Sequence, residues 1–392
     1  MPATRVAVVG AGYLGRFHAQ KYAALDGVQL VAVADPDEAA RERVAREAAC
    51  AAVADYRQLL GEVDAVSVVT PTPLHHRVSR EFLESGAHVL VEKPITATLG
   101  EARDLVATAA RLGKVLQVGH LERFNPAIVA VEGILDRPRF VESNRLAPFK
   151  PRGTDVSVVL DLMIHDIDLI LNIVGSPVAS IDAVGAQVFT DEIDIANARL
   201  RFESGCVANV TASRISMKSE RKLRVFQSDA YLSIDLQQKV LTHVRKGGGP
   251  PTGDVPPVQI EERSFDPGDA LRDEIVSFLG CIASGRRPVV SGEDGLRALE
   301  TAIRIGELVG AQDRFAVMDC ICRKMAGLNN SACEAPLESC LSFGDWADYV
   351  VRTGRGRAVD RGEVLEILQR ADEANLVLQP SNSQDLAFVC CC

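Results

Sequence analysis

Gly10-Ala11-Gly12-Tyr13-Leu14-Gly15 follows a short apolar run at 6–9 and opens a helix-forming stretch at 13–25. Three glycines at this spacing between a strand and a helix leave few folds open. Gly10 permits a tight turn, Gly12 leaves room for phosphates beside the backbone, and Gly15 permits close packing of helix on strand. The helix N-terminus then offers unpaired N–H groups to an anion. Twenty residues after Gly15, Asp35 ends the strand-like run at 30–34, where a carboxylate accepts hydrogen bonds from a ribose diol and repels a 2′-phosphate. The pattern predicts a dinucleotide site preferring NAD to NADP, with Tyr13 and Leu14 among its contacts and Asp37 as a competing acid two positions on.

The surrounding rhythm agrees. Runs rich in β-branched residues at 6–9, 30–34, 65–69, 88–91 and 115–118 alternate with helical stretches at 13–25, 38–49, 74–85 and 99–112. Such alternation specifies parallel strands with helical crossovers, a doubly wound α/β Rossmann domain. Thr98 and Glu101 have the spacing of a capping box at the head of the fourth helix. Beyond 123 the pattern changes to a helix at 156–174, strands at 180–189, 196–202, 206–213, 222–227, 230–234 and 240–244, a Gly/Pro-rich loop at 246–257, a strand at 258–265, and helices at 270–283 and 292–308. Sequential strands predict an α+β domain with a mainly antiparallel sheet. The expected domains are 1–122, 123–312 and 313–392.

With 392 residues and 47% hydrophobic content the chain has material for two or three cores, and 53 acidic against 43 basic side chains disfavour sequence-independent nucleic-acid binding. Small molecules are the expected partners. The lead at 1–5 has no signal-peptide core, and the apolar stretch 156–174 carries Asp161, His165, Asp166 and Asp168, which lipid would not tolerate. The expectation is a cytoplasmic protein without membrane contact, and the antiparallel sheet offers a face for a homo-oligomer.

Ligands of an open parallel sheet collect beyond the carboxyl ends of its strands. Thr70-Pro71-Thr72-Pro73 with His75 and His76, Glu92-Lys93-Pro94, and Gly119-His120-Leu121-Glu122-Arg123-Phe124-Asn125-Pro126 occupy that edge. A further motif, Asp161-Leu162-Met163-Ile164-His165-Asp166-Ile167-Asp168, places Asp161, His165, Asp168 and Asn172 on one stripe of a helix. At 4–312 the chain resembles the Gfo/Idh/MocA family of sugar and polyol oxidoreductases, which carry a Glu-Lys-Pro triplet at this position. The resemblance implies Lys93, Asp161 and His165 as the catalytic group. It also implies cofactor contacts from Gly10, Gly12, Gly15, Asp35, Thr70, Pro71, Thr72, His75, Glu92 and Lys93. A histidine suits proton transfer near neutral pH, while a lysine can hold the reacting oxygen or act as the base if burial depresses its pKa.

The segments 119–126 and 155–171 look particularly like the branch that oxidises the C3 hydroxyl of UDP-N-acetylglucosamine with NAD. Arg145, Lys150 and Arg152 suit a diphosphate, and His120 and Arg123 join Lys93, Asp161 and His165 as expected substrate contacts. Another sugar or polyol is the competing substrate. A non-catalytic sensor of NAD and sugar is the competing class, which retention of Lys93 with Asp161 and His165 disfavours.

Seven of ten cysteines, Cys320, Cys322, Cys333, Cys340 and Cys390 to Cys392, lie in the last 73 residues. Their spacing fits neither a zinc ribbon nor a ferredoxin run, although the segment from about 315 resembles the part preceding the cluster-binding portion of certain 4Fe-4S ferredoxin-type proteins. The expectation is a small, helical, thiol-rich extension with reduced, partly buried cysteines, and the competing reading is a truncated ferredoxin-type module with an incomplete iron–sulfur site. Cys320, Cys322, Cys333 and Cys340 are its possible ligands.

Overall fold

The computed structural model describes residues 3–151, 153–154, 156–247, 257–311, 314–328, 335–374, 376, 378–380 and 388–391. Two compact units emerge, residues 1–181 with 187–303 and residues 182–186 with 304–392.

The first unit begins with β1 (Thr4–Val9), α1 (Tyr13–Ala23), β2 (Val28–Ala34), α2 (Glu38–Ala48), β3 (Ala51–Val53), β4 (Ala65–Val68), α3 (His75–Glu84), β5 (His88–Glu92), α4 (Leu99–Leu112) and β6 (Leu116–Gly119). The strands form a wholly parallel sheet in the order β3-β2-β1-β4-β5-β6. Alternation along β1 divides its residues between two cores: Val6 and Val8 pack with Ala19 and Tyr22 of α1 and Val44 of α2, while Ala7 and Val9 pack with Phe82 and Leu83 of α3 and Leu105 of α4. The order reverses between β1 and β4, so the crevice for a ligand opens above their carboxyl ends. The predicted capping box is present, with Glu101 N–H donating to Thr98 Oγ1 at 3.3 Å and Thr98 N–H to Glu101 Oε2 at 3.1 Å.

There follow α5 (Pro126–Val129), β7 (Phe140–Leu146), a π-helical turn at Val159–Met163, α6 (Ile164–Val174), β8 (Val178–Ala186), β9 (Ile195–Phe202), β10 (Val207–Ser213), β11 (Glu220–Phe226), β12 (Ala230–Asp235), β13 (Val240–Lys246), β14 (Val258–Ser264), α7 (Ala270–Ser284) and α8 (Gly292–Ala311). Their sheet runs β14-β13-β12-β11-β7-β10-β9-β8. It is mainly antiparallel, with β7 and β10 as a parallel pair. This is the expected Rossmann domain followed by an α+β domain. The sequence pattern missed β7, a central strand, because its inward positions include Ser143 and Arg145 rather than apolar residues alone. Most of the expected loop at 246–257 lies outside the described residues.

The second unit corrects the expectation of a helical extension. It contains β15 (Phe315–Asp319), α9 (Ile321–Leu328), β16 (Glu338–Phe343), α10 (Gly344–Arg352), β17 (Gly356–Val359), α11 (Arg361–Glu373), β18 (Leu378–Pro380) and β19 (Phe388–Cys391). These strands form an antiparallel sheet in the order β17-β15-β16-β19-β18. Val317, Leu341, Val359, Val364 and Ile367 make its core. Adjacent residues of these short strands are buried, Ala316 with Val317 and Leu341 with Ser342, so no period-2 pattern marks them for a periodicity reading. Among the described residues no group of three or more His, Cys, Asp or Glu side chains could hold a metal ion. Cys320 is buried, Cys322 exposed and Cys340 half-buried, while Cys333 lies outside the described residues. No described helix is long and apolar enough to cross a membrane.

Candidate active site

The glycine loop is shaped by contacts that exclude side chains. Gly10 has φ +107°, and a Cβ there would lie 2.4 Å from the Val69 carbonyl oxygen; a Cβ on Gly15 would lie 1.8 Å from that of Gly10. In front of Gly12, by contrast, a Cβ meets nothing within 4 Å. Helix α1 starts here with no side-chain cap from Gly12, and Tyr13 and Leu14 are 66% and 38% exposed. An open approach to an uncapped helix N-terminus fits a dinucleotide pyrophosphate. Asp35 accepts from Ala11 N–H at 2.7 Å through Oδ2 and from Asp37 N–H at 2.8 Å through Oδ1, leaving further lone pairs for ribose hydroxyls. The competing acid is committed elsewhere: Asp37 is the N-cap of α2 and accepts from Ala40 N–H.

Thr70, Pro71 and Thr72 follow β4, and Thr70 Oγ1 is buried without a hydrogen-bond partner. His75 departs from expectation. It is 1% exposed, with Nδ1 2.9 Å from the Pro94 carbonyl oxygen and Nε2 2.8 Å from that of Thr70. Burial pulls its pKa below the ordinary value, despite both carbonyls. A neutral ring donates to one carbonyl only, so His75 ties two loops together instead of presenting a nitrogen to the cofactor.

At the end of β5, Glu92 Oε1 lies 3.1 Å from His18 Nε2 and Oε2 accepts Lys93 N–H at 3.3 Å. Burial opposes the carboxylate charge, but His18 and Lys93 outweigh it and hold the Glu92 pKa below the usual range. The Lys93-Pro94 peptide is cis. Lys93 is 18% exposed; its Nζ donates to the Asp161 carbonyl at 2.7 Å and lies 3.7 Å from Asp161 Oδ1. Burial draws the ammonium pKa below that of a free lysine, against the pull of Asp161 and Glu92.

The helix expected at 156–174 begins instead with the π-helical turn, which carries Asp161 and passes into α6 one residue before His165. Insertions of this kind re-aim side chains and are frequent at functional sites. His165 Nδ1 is buried without a partner, and its pKa falls well below 6.5 through burial and the nearby cations Lys93 and Arg145. His120 stands edge-on to it, ring centroids 6.4 Å apart; it is 1% exposed and neither ring nitrogen has a partner. Unpaired buried polar atoms on His120, His165 and Thr70 are what a bound ligand or water satisfies.

Two arginines expected at the substrate are committed inside the fold. Arg123 donates to both carboxylate oxygens of Asp168, at 2.8 and 3.4 Å, and both side chains are buried. Arg145 does the same with Asp166, at 2.7 and 3.1 Å, and adds a 3.0 Å bond to Glu122. The supposed polar stripe is therefore split: Asp168 is buried in an ion pair, and Asn172 is exposed. Lys150 is exposed, while Arg152 lies outside the described residues. Sequence reasoning missed Arg221 on β11, which pairs across strands with Arg145, lies 3.6 Å from Glu122, is half exposed and contributes to the field on His165. On a strand whose buried residues are Leu223 and Val225, it read as an ordinary surface charge. It missed Arg214 as well, whose guanidinium donates to the carbonyls of Gly153 and Val156 and so anchors the loop next to Asp161.

Residues 4–120 match the family described as "Oxidoreductase family, NAD-binding Rossmann fold", and residues 127–233 match "GFO/IDH/MocA C-terminal domain". The UDP-N-acetylglucosamine 3-dehydrogenase of Acidithiobacillus ferrooxidans is 41% identical over 308 residues, 78% of this chain and 97% of that protein. A solved structure of that enzyme superposes with a TM-score of 0.75, covering 79% of this chain and 99% of the other. The scyllo-inositol 2-dehydrogenase (NAD(+)) of Bacillus subtilis is 27% identical over 319 residues, 76% of this chain and 92% of its own.

Proposed function

The chain belongs to the Gfo/Idh/MocA family of NAD-binding oxidoreductases, and from that premise we propose that it oxidises the C3 hydroxyl of UDP-N-acetylglucosamine to a ketone. The observation that carries this reading is the convergence of Lys93 Nζ on Asp161, 2.7 Å from its carbonyl oxygen, in a chain 41% identical to a UDP-N-acetylglucosamine 3-dehydrogenase along nearly that protein's whole length.

NAD, when bound, accepts the hydride from the carbinol carbon. The glycine loop and the N-terminus of α1 hold its pyrophosphate, and Asp35 its adenosine ribose. Lys93, protonated and fixed by Asp161, donates a hydrogen bond to the substrate oxygen and stabilises the negative charge that develops on it. His165, kept neutral by burial and by neighbouring cations, takes the hydroxyl proton. Those same cations make the protonated ring short-lived, so the proton passes on to solvent. His120 orders the sugar beside it. Lys150 and Arg221 are the cations left to meet the diphosphate, in place of Arg123 and Arg145. In this reading residues 1–122 hold the cofactor, 123–312 the sugar, and 313–392 form an appendage outside the reaction; the enzyme works in the cytoplasm as a homo-oligomer.

Purified protein mixed with NAD should form NADH with UDP-N-acetylglucosamine and far more slowly with UDP-glucose, free hexoses or inositols. Turnover of an inositol alone would replace the nucleotide sugar by a polyol. The Asp35→Ala variant should raise the Kd for NAD by about tenfold, the cost of roughly 1.4 kcal/mol of ribose hydrogen bonding. It should also narrow the preference over NADP in a fluorescence titration, and an unchanged preference removes Asp35 from that role.

A further inference from the structure

We propose that His18 is a positioning residue for the dehydrogenation, holding the Glu92 carboxylate in its bond to the Lys93 backbone through a buried chain that ends at Tyr22. The inference rests on the reading of Lys93 given above.

The chain of contacts is continuous. Tyr22 hydroxyl lies 2.9 Å from Ser67 Oγ, Ser67 Oγ lies 3.2 Å from His18 Nδ1, and His18 Nε2 lies 3.1 Å from Glu92 Oε1. The other Glu92 oxygen accepts Lys93 N–H at 3.3 Å. Tyr22, Ser67 and His18 are essentially inaccessible to solvent. His18 and Tyr22 stand one turn apart on α1, the helix whose N-terminus faces the pyrophosphate, and Ser67 lies on β4 beside the switch point. The helix that opens the cofactor cradle is thus joined by side chains to the residue before Lys93.

The need for such a clamp follows from what surrounds Glu92. Helix α7 places Glu274 in the same region, fully buried, with neither carboxyl oxygen hydrogen-bonded. Burial and the charge of Glu92 push the Glu274 pKa well above its ordinary value, while His18 and Lys93 hold that of Glu92 below its own. From α3, His75 adds to the favourable field on Glu92, and from the next residue Lys93 does so. On β6, Gly119 leaves space for the carboxylate, since a Cβ there would sit 3.0 Å from it. His18 is the one side chain among these that bonds the Glu92 carboxylate directly. Without it, a buried Glu92 beside a second buried acid takes up a proton, and Lys93 loses a negative neighbour that supports its charged form.

Two substitutions separate positioning from packing. His18→Gln keeps an amide N–H near the position of Nε2 and can still donate to Glu92; His18→Leu fills the volume without a donor. His18→Leu should lower kcat between about 10- and 100-fold, leave the KM for NAD within about twofold, and move the alkaline limb of the kcat–pH profile to lower pH. In cofactor-free protein, reductive methylation of Lys93, followed by mass spectrometry, should become faster at a given pH, because more of the amine is unprotonated. His18→Gln should restore both the limb and the methylation rate. Equal losses in the two variants, or a native limb and native methylation in a folded His18→Leu protein, overturn the proposal. If Lys93→Ala itself retains turnover, the reading of Lys93 fails instead, and the methylation series still reports whether His18 supports its charge.

Discussion

Lys93→Ala should lower kcat by about a thousandfold, within the range of roughly 10² to 10⁴ that a positioned proton-handling group supplies, while the KM for NAD stays within a few fold. The lysine donates to a backbone carbonyl, that of Asp161, which fixes Nζ without neutralising it. Its depressed pKa sets the sign of the pH effect. Because burial brings the Lys93 pKa below that of a free lysine, wild-type kcat should fall on the alkaline side as Nζ loses its proton, and begin to fall earlier than a solvent-exposed lysine would dictate. That limb should vanish from the residual activity of Lys93→Ala. Lys93→Arg should not restore the rate, since a planar guanidinium cannot occupy the position of a compact ammonium held between a carbonyl and a carboxylate. Stopped-time assays of NADH across a pH series check all three outcomes. Undiminished turnover in Lys93→Ala removes the residue from the chemistry.

Arg123→Ala should destabilise the first unit by about 3–5 kcal/mol, because it strips the partner from Asp168 and leaves a carboxylate buried with no counter-charge. A substrate-binding arginine at the rim behaves otherwise: its loss raises the KM and leaves the unfolding midpoint near native. Replacing both residues, Arg123→Met with Asp168→Leu, should recover most of the lost stability, since a buried pair exchanged for apolar side chains of similar size is often neutral. Urea unfolding followed by circular dichroism measures the series. A native midpoint for Arg123→Ala would show that the pair is not a support of the fold and return Arg123 to the list of ligand contacts.

The Rossmann half was legible because its signals are local. Gly10 and Gly15 mark a turn whose steric demands no other residue meets, Gly12 leaves the approach to it open, and the spacing to Asp35 spans one strand and helix. The grouping of Lys93 with Asp161 and His165 came from family resemblance, and its partners become visible only when β5 and the turn before α6 approach each other. Charge partners were the least legible part. Arg123, Arg145, Asp166 and Asp168 all stood in the expected motifs, but which carboxylate each arginine meets depends on the packing of the turn after β6 and of β7 against α6, which periodicity does not encode. The π-helical turn was hidden for a related reason: a one-residue insertion leaves the apolar pattern of 156–174 intact while rotating Asp161 relative to His165. In the second unit the cysteines drew the reading towards metal chemistry, whereas Val317 and Leu341 were building the core of a sheet.

The most direct measurement is hydride tracing. UDP-N-acetylglucosamine carrying deuterium at C3 should transfer that deuterium to NAD, giving a reduced cofactor one mass unit heavier, and substrate labelled at C2 or C4 should give unlabelled NADH. Unlabelled NADH from the C3-deuterated sugar, or no reduction of NAD by any nucleotide sugar, would contradict oxidation at C3 by this chain.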